Sequence, residues 1–283
     1  MERTLTGPAP RLRLPAGATD TQMHCYVPGF PGAPGALPVP EGDTSPAAYR
    51  QVMDWLGIER VVVVQGNAHA ADNANILAAV AALGDCARAV AAVAPGASEA
   101  ELARLHAGGV RGLRIMNLPG GAVTLDALEG VDAMASAMGW SVNVQFDGGE
   151  ILDRLPALEG IRARWVLDHH GKFFAGAAPG EPKIDAVKRL IDRGNCWFKL
   201  AGGYESSRTG APGFDDIAAV AREIIAHAPE RVIWGTNWPH NLVKRAEDYP
   251  SDADLLDTVL GWAPDAATLA RIVTDNPAEL YGF

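Results

Sequence analysis

Cysteine is scarce in this 283-residue chain: Cys25, Cys86 and Cys196 are odd in number, far apart and form no CxxC pair. A disulfide framework and a thiolate zinc site are therefore not supported, and a reducing cytoplasm is the expected setting. No run of Lys and Arg exceeds two residues and the formal charge is -10, which makes nucleic acid and anionic membrane surfaces poor partners. Any anionic ligand must then be met by local charge. The longest apolar run, Ile76 to Leu83, is far too short to span a bilayer. The opening stretch MERTLTGPAPRLRLPAGATD is broken by proline and has no apolar core, so neither a signal peptide nor a membrane anchor is expected.

Apolar residues, by contrast, are plentiful. At 48% hydrophobic and 20% charged, the composition supports a soluble globular enzyme-sized protein and leaves room for a homo-oligomer. Eight apolar or β-branched runs alternate with alanine-rich helical stretches: TDTQMHCY from Thr19, RVVVVQG from Arg60, ARAVAAVAP from Ala87, VRGLRIM from Val110, WSVNVQF from Trp140, RWVLDHH from Arg164, CWFKLAG from Cys196 and RVIWGTNW from Arg231. Near-continuous apolar runs are the mark of parallel strands covered on both faces. Helices are expected over Asp72 to Gly84, Ser98 to Gly109 and Asp215 to Ala228; Ser98 with Glu101 has the spacing of a capping box, and Gly108 with Gly109 supplies a stop. Eight strand and helix repeats without a linker favour one (β/α)8 barrel domain over residues 1–283 rather than a doubly wound sheet. The longest irregular stretches are expected at Pro28 to Pro46, a candidate lid, and Phe173 to Lys183.

In a barrel the polar residues at the C-terminal strand ends converge on one cavity. They are Gln22 and His24, Gln65 and Asn67, Arg114 and Asn117, Gln145, then Asp168, His169 and His170, then Lys199 with Tyr204 beyond it, and finally Asn237 and His240. Alternation along the strand sets Asp168 on the face opposite His169, in an ion pair or a cap. His170 reads as a loop residue bonded to backbone, His69 as a helix cap, His106 and His227 as surface residues, and Trp234 and Trp238 as packing. Arg111 reads as the partner of a carboxylate outside the barrel.

The segments TDTQMH, RGLRIMNL, VLDHHGK, WFKLAGGYE and VIWGTNWPHN resemble the amidohydrolase superfamily. Within it the chain is similar to the branch of 2-pyrone-4,6-dicarboxylate lactonases and galactarolactone isomerases, from about Pro15 to Tyr281. The resemblance implies a TIM barrel. It also exposes departures: where metal-dependent relatives carry His-x-His, Lys or Glu, His, His and Asp, this chain has Gln22-x-His24, Arg114, Gln145, His169 and Asn237. Amides bind zinc poorly and two histidines are too few, so no catalytic metal and no cofactor are expected.

Metal-independent lactonases of the branch keep an aspartate on the eighth strand as base for water, which Asn237 cannot be. A general base contributes roughly 10²–10⁴ in rate, so water attack should be impaired while carbonyl polarisation by His24, His169 or His240 survives. Arg114 and Lys199 are expected to clamp a carboxylate. A nucleophile inside the substrate escapes the handicap, because oriented intramolecular groups reach effective molarities of about 10⁵–10⁸ M against roughly 55 M for water. The resemblance accordingly implies isomerisation of a hexarate 1,5-lactone, D-galactaro-1,5-lactone, to the 1,4-lactone in hexuronate breakdown. Two alternatives stay open: a lactone or pyrone dicarboxylate hydrolase with His240 or His169 as base, and a sugar-acid binding protein without activity. Asn237→Asp is expected to raise the hydrolysed fraction.

Overall fold

A computed structural model describes residues 3–243, 245 and 248–283. All eight runs form strands, β1 (Thr19–Met23), β2 (Arg60–Val64), β3 (Ala87–Ala91), β4 (Val110–Met116), β5 (Ser141–Gln145), β6 (Arg164–Leu167), β7 (Cys196–Leu200) and β8 (Val232–Trp234), in one parallel sheet in sequence order. Helices α1 (Pro46–Leu56), α2 (Ala74–Leu83), α3 (Glu99–Ala107), α4 (Leu128–Met138), α5 (Ile151–Glu159), α6 (Pro182–Asp192) and α7 (Asp215–His227) each follow a strand, and α8 (Asp252–Leu260), α9 (Ala266–Ala270) and α10 (Asn276–Tyr281) follow β8. The ring is nearly closed, and the architecture is the expected TIM barrel. Ser98 caps α3 by accepting from Glu101 N at 3.2 Å, but the Glu101 carboxylate turns away to Arg104, so only half of the capping box forms.

The end of β1 meets the segment after β8 through a bridge from Met23 to Trp238, with side chains completing the seam. The Asp20 carboxylate collects the Tyr49 hydroxyl, the Thr236 hydroxyl and amide and the Gln22 amide. Burial outweighs these donors and raises its pKa to about 6. Gly235 lets the chains approach: a Cβ there would lie 2.4 Å from Gln22 Cβ and 2.5 Å from Gln22 N. Gly235→Ala should push β1 and β8 apart at the base of the site and cost about 1–3 kcal/mol, as overpacking does. A thermal melt coincident with wild type would refute that expectation.

The lower barrel is a packed plug of Val62, Val64, Val90, Val166, Trp197, Ile233, Leu280 and Tyr281. It fills the barrel beneath the C-terminal face, where a barrel carries its site. The segment between Met23 and α1 roofs part of that face: Ala33 N donates to Ala68 O at 2.7 Å, His69 Nε2 donates to Phe30 O at 3.1 Å, and Leu37 lies against Gly120. His69 is thus a buried tether for this loop and not a helix cap. The segment between β8 and α8 is longer than Phe173 to Lys183, correcting the order of loop lengths, and it carries Asn237 and His240.

Candidate active site

The inward rows of the strands bring Gln22, His24, Arg114, Gln145, Asp168 and Lys199 to the upper barrel, all buried. Lys199 Nζ donates to Gln22 Oε1 at 2.9 Å and pairs with Asp168 Oδ1 at 2.8 Å, with no exposure of either charged side chain. Two expectations change here. Asp168 lies on the inward face in register with Val166, and Lys199, expected to clamp substrate, is consumed by that carboxylate. Burial works against both charges, yet Lys199 holds the Asp168 carboxyl far below its ordinary range.

Because an ammonium only donates, Lys199 fixes the Gln22 oxygen toward itself and the Gln22 nitrogen toward His24 Nε2, 3.5 Å away. At its other side His24 Nδ1 donates to Val64 O at 2.8 Å. His24 Nε2 is therefore an acceptor, met by the Gln22 nitrogen at the outer limit of hydrogen-bond distance. Burial first, and the Arg114 guanidinium second, lower this imidazole to about 3.

Arg114 donates to Gln65 O at 2.6 Å, Asn67 Oδ1 at 3.3 Å and Gln145 Oε1 at 2.8 Å. Its Nε is buried without a hydrogen-bond partner among the described residues. Every acceptor it has among the described residues is neutral, so a buried cation stands at the strand ends with no carboxylate among these contacts. The Gln65 side chain braces the next turn through Ala70 O and Asp72 O, and Asn117 accepts from Leu125 N, so both support loops. Arg111 binds the backbone carbonyls of His106 and Val110 and no carboxylate.

After β6 the chain turns through left-handed conformations at His169, His170, Gly171 and Lys172, with φ of 51°, 54°, 74° and 48°. Three non-glycine residues held there are a local strain of the kind stored at functional sites. The turn aims His169 Nε2 at Asn237 Oδ1, 3.2 Å away, while His169 Nδ1 lies 3.6 Å from Asp168 Oδ2. Gly202, at φ 59°, makes room, since a Cβ would stand 2.9 Å from Asn237 Nδ2 and 3.0 Å from His169 Cδ2. His170, expected to bind backbone, has neither ring nitrogen hydrogen-bonded among the described residues and is lowered to about 3 by burial.

Asn237 itself is left-handed, at φ 63°, a conformation that Asn tolerates better than other non-glycine residues. Its Nδ2 donates to Tyr204 Oη at 2.8 Å and to Glu205 Oε1 at 3.0 Å. Tyr204 Oη in turn donates to His240 Nδ1 at 2.6 Å, and His240 Nε2 to Asp252 Oδ1 at 3.0 Å. His240 is wholly buried behind Tyr204 and stands one residue removed from the cavity. The other carboxylate oxygen, Glu205 Oε2, is ion-paired with Lys172. Burial works to raise this carboxyl, but Lys172 and His169 outweigh it and hold it below the ordinary range. Burial, reinforced by Glu205, raises the Tyr204 phenol well above its ordinary value.

Glu205, Lys172 and Asp252 were missed by sequence reasoning. Glu205 follows Tyr204 directly in WFKLAGGYE and was the most accessible to it: a charge beside a chosen residue in a glycine-led loop at a strand end. Asp252 looks like an ordinary acid in the first turn of a helix. His106 and His227 are exposed, and Trp234 and Trp238 are packing, as expected.

No three His, Cys, Asp or Glu side chains converge on a metal position among the described residues. The donor set does not fit a divalent ion, because amides and a guanidinium occupy the strand ends and the Lys199 ammonium sits against Gln22.

Residues 19–283 of this barrel match the Amidohydrolase family, to which the chain belongs, although arginine and amides stand at several of its strand ends. The chain is 52% identical over 280 residues to D-galactarolactone isomerase of Agrobacterium fabrum strain C58, covering 99% of this chain and 96% of that one. It is 33% identical to 2-pyrone-4,6-dicarboxylate hydrolase of Comamonas testosteroni, covering 96% and 92%. An apo crystal structure from Agrobacterium tumefaciens superposes with a TM-score of 0.97 at 51% identity, covering 99% of each chain.

Proposed function

We infer that the protein is a lactone isomerase that converts D-galactaro-1,5-lactone to the 1,4-lactone without a metal, in D-galacturonate breakdown within a reducing cytoplasm. The observation that carries this reading is the amide of Asn237 at the end of β8, held by Glu205, Tyr204 and His169 where activation of water would need a free base. The one carboxylate beside it, Glu205, has both oxygens engaged. His240, the alternative base, is sealed behind Tyr204. The hydrolase reading therefore lacks a carboxylate base at the end of β8, whereas an internal hydroxyl, held close by the substrate itself, manages with the weak acceptor His24 Nε2.

In the reaction, the 4-hydroxyl oxygen bonds to the lactone carbonyl carbon, the bond from that carbon to the ring oxygen breaks, and one proton passes from the attacking to the departing oxygen. His24 Nε2, an acceptor, suits the hydroxyl proton. The His169 Nε2 hydrogen, bonded to the Asn237 oxygen in the free protein, turns to the carbonyl oxygen as that oxygen gains charge. Arg114 supplies charge for the free carboxylate of the substrate, with Asn67, Gln145 and Gln22 around it.

Proton NMR of the 1,5-lactone with the protein should show the 1,4-lactone accumulating ahead of ring-opened acid, at a rate unchanged by dialysis against chelator. Ring-opened acid as the sole product, or stoichiometric zinc or manganese lost together with turnover, would overturn the reading.

A further inference from the structure

Glu205 touches nothing that the reaction above requires, yet it fixes the group that does. A carboxylate only accepts hydrogen bonds, so whatever atom of residue 237 lies 3.0 Å from Glu205 Oε1 must carry a hydrogen. The Asn237 nitrogen is therefore turned to Glu205 and Tyr204, and its oxygen to His169 Nε2, which must be a donor to meet it. Lys172, ion-paired with the second Glu205 oxygen, keeps the carboxylate charged and in place.

We propose that Glu205 is a specificity-determining positioning residue, which holds position 237 as a hydrogen-bond donor toward itself and thereby sets His169 as a donor and bars a second charged carboxylate from that position. The proposal rests on the isomerase reading and deepens it. An aspartate at 237 would bring two carboxyl groups to about the Asn237 to Glu205 spacing, where both cannot ionise. Lys172 favours the charge on Glu205, so the shared proton resides on residue 237, which then has no basic lone pair to offer water. Asn237→Asp alone should consequently leave the product mixture near that of wild type, in contrast to the expectation from sequence.

Exchanging Glu205 reverses the logic. In Glu205→Gln, Lys172 retains the new amide oxygen, so the amide nitrogen faces residue 237 and asks it for an acceptor. An asparagine must then flip, presenting its nitrogen to His169 and converting that imidazole nitrogen to an acceptor. An aspartate instead ionises and becomes an available base.

Wild type, Asn237→Asp, Glu205→Gln and the double variant are to be compared on the 1,5-lactone by proton NMR at neutral pH, with thermal melts confirming folding. The double variant should raise the ratio of ring-opened acid to 1,4-lactone by about tenfold or more over Asn237→Asp, part of what a general base supplies. Equal ratios in the two folded proteins, or a comparable rise in Asn237→Asp alone, would overturn the proposal. Asn237→Asp keeps the Lys172 pair and is nearly isosteric, so a rise in its ratio overturns the proposal even if the double variant fails to fold. Nitrogen-15 spectra of histidine-labelled protein give a readout that needs no substrate: His169 Nε2 should be protonated in wild type and lose that proton signature in Glu205→Gln. An identical His169 signature in both would also overturn it. If wild type yields only ring-opened acid, the isomerase reading fails, while the His169 spectra still judge Glu205.

Discussion

Arg114→Ala should raise KM for the lactone, lower kcat/KM, or both, by about 30-fold or more, because removing one partner of a buried charge-assisted contact costs about 2–5 kcal/mol. The structure strengthens the case made by sequence. The guanidinium is held by Gln65, Asn67 and Gln145 through neutral oxygens alone, and its Nε has no hydrogen-bond partner among the described residues. A buried cation arranged in this way is short of a counter-charge, and a hexarate lactone brings one. Arg114→Lys should recover only part of the loss, since an ammonium cannot reproduce the fork that meets three acceptors at once. Steady-state kinetics of both variants, with melts to confirm folding, is the measurement; wild-type kcat/KM in a folded Arg114→Ala protein would place the anion site elsewhere.

Lys199→Met is expected to act on stability. Its ammonium neutralises Asp168 inside the barrel, with neither side chain exposed. Deleting one member of a buried pair leaves the other charge uncompensated, at about 3–5 kcal/mol. For a chain of this size that corresponds to a fall in Tm on the order of 10 °C. Asp168→Asn in the same background should restore much of the loss, because a neutral amide no longer needs the cation. A substrate clamp would behave differently, with a raised KM and an unmoved Tm. That second pattern, or an unchanged Tm in Lys199→Met, would reinstate Lys199 as a ligand for substrate. Activity is expected to fall as well in Lys199→Met, since Gln22 loses the donor that orients it and His24 then loses its fixed neighbour.

The barrel was legible because eight apolar runs alternate with helical stretches without a linker, a pattern that favours a closed parallel sheet over a doubly wound one in a chain of this length. Which face a strand residue takes was harder to see. Strands buried on both faces are apolar throughout, so RWVLDHH offers no alternation from which to count, and the left-handed turn beginning at His169 breaks the count just where it matters. Asp168 was consequently assigned to the outside. Charge was legible and partnership was not: Lys199 and Arg114 look alike in sequence, and only the fold shows one neutralised and the other waiting. Glu205 lies beyond the strand end in a loop whose course depends on Gly202 at φ 59°. Residue type alone could not aim it at Asn237. The family resemblance, finally, pointed to the amide at 237 and to the missing ligands, but said nothing about what holds that amide.

Between His169 and Asp252 runs a line of contacts through Asn237, Tyr204 and His240, every link of which is within hydrogen-bond reach. Each side chain in that line except one can both release and take up a proton. The exception is the amide, whose nitrogen does not give up hydrogen and whose oxygen does not take it up at ordinary pH. Asn237 is thus an insulator set in a conductor. It lets His169 and the pair of His240 and Asp252 feel one another's orientation while keeping their protons apart, so a proton on the His169 side does not pass along this line to His240 and Asp252.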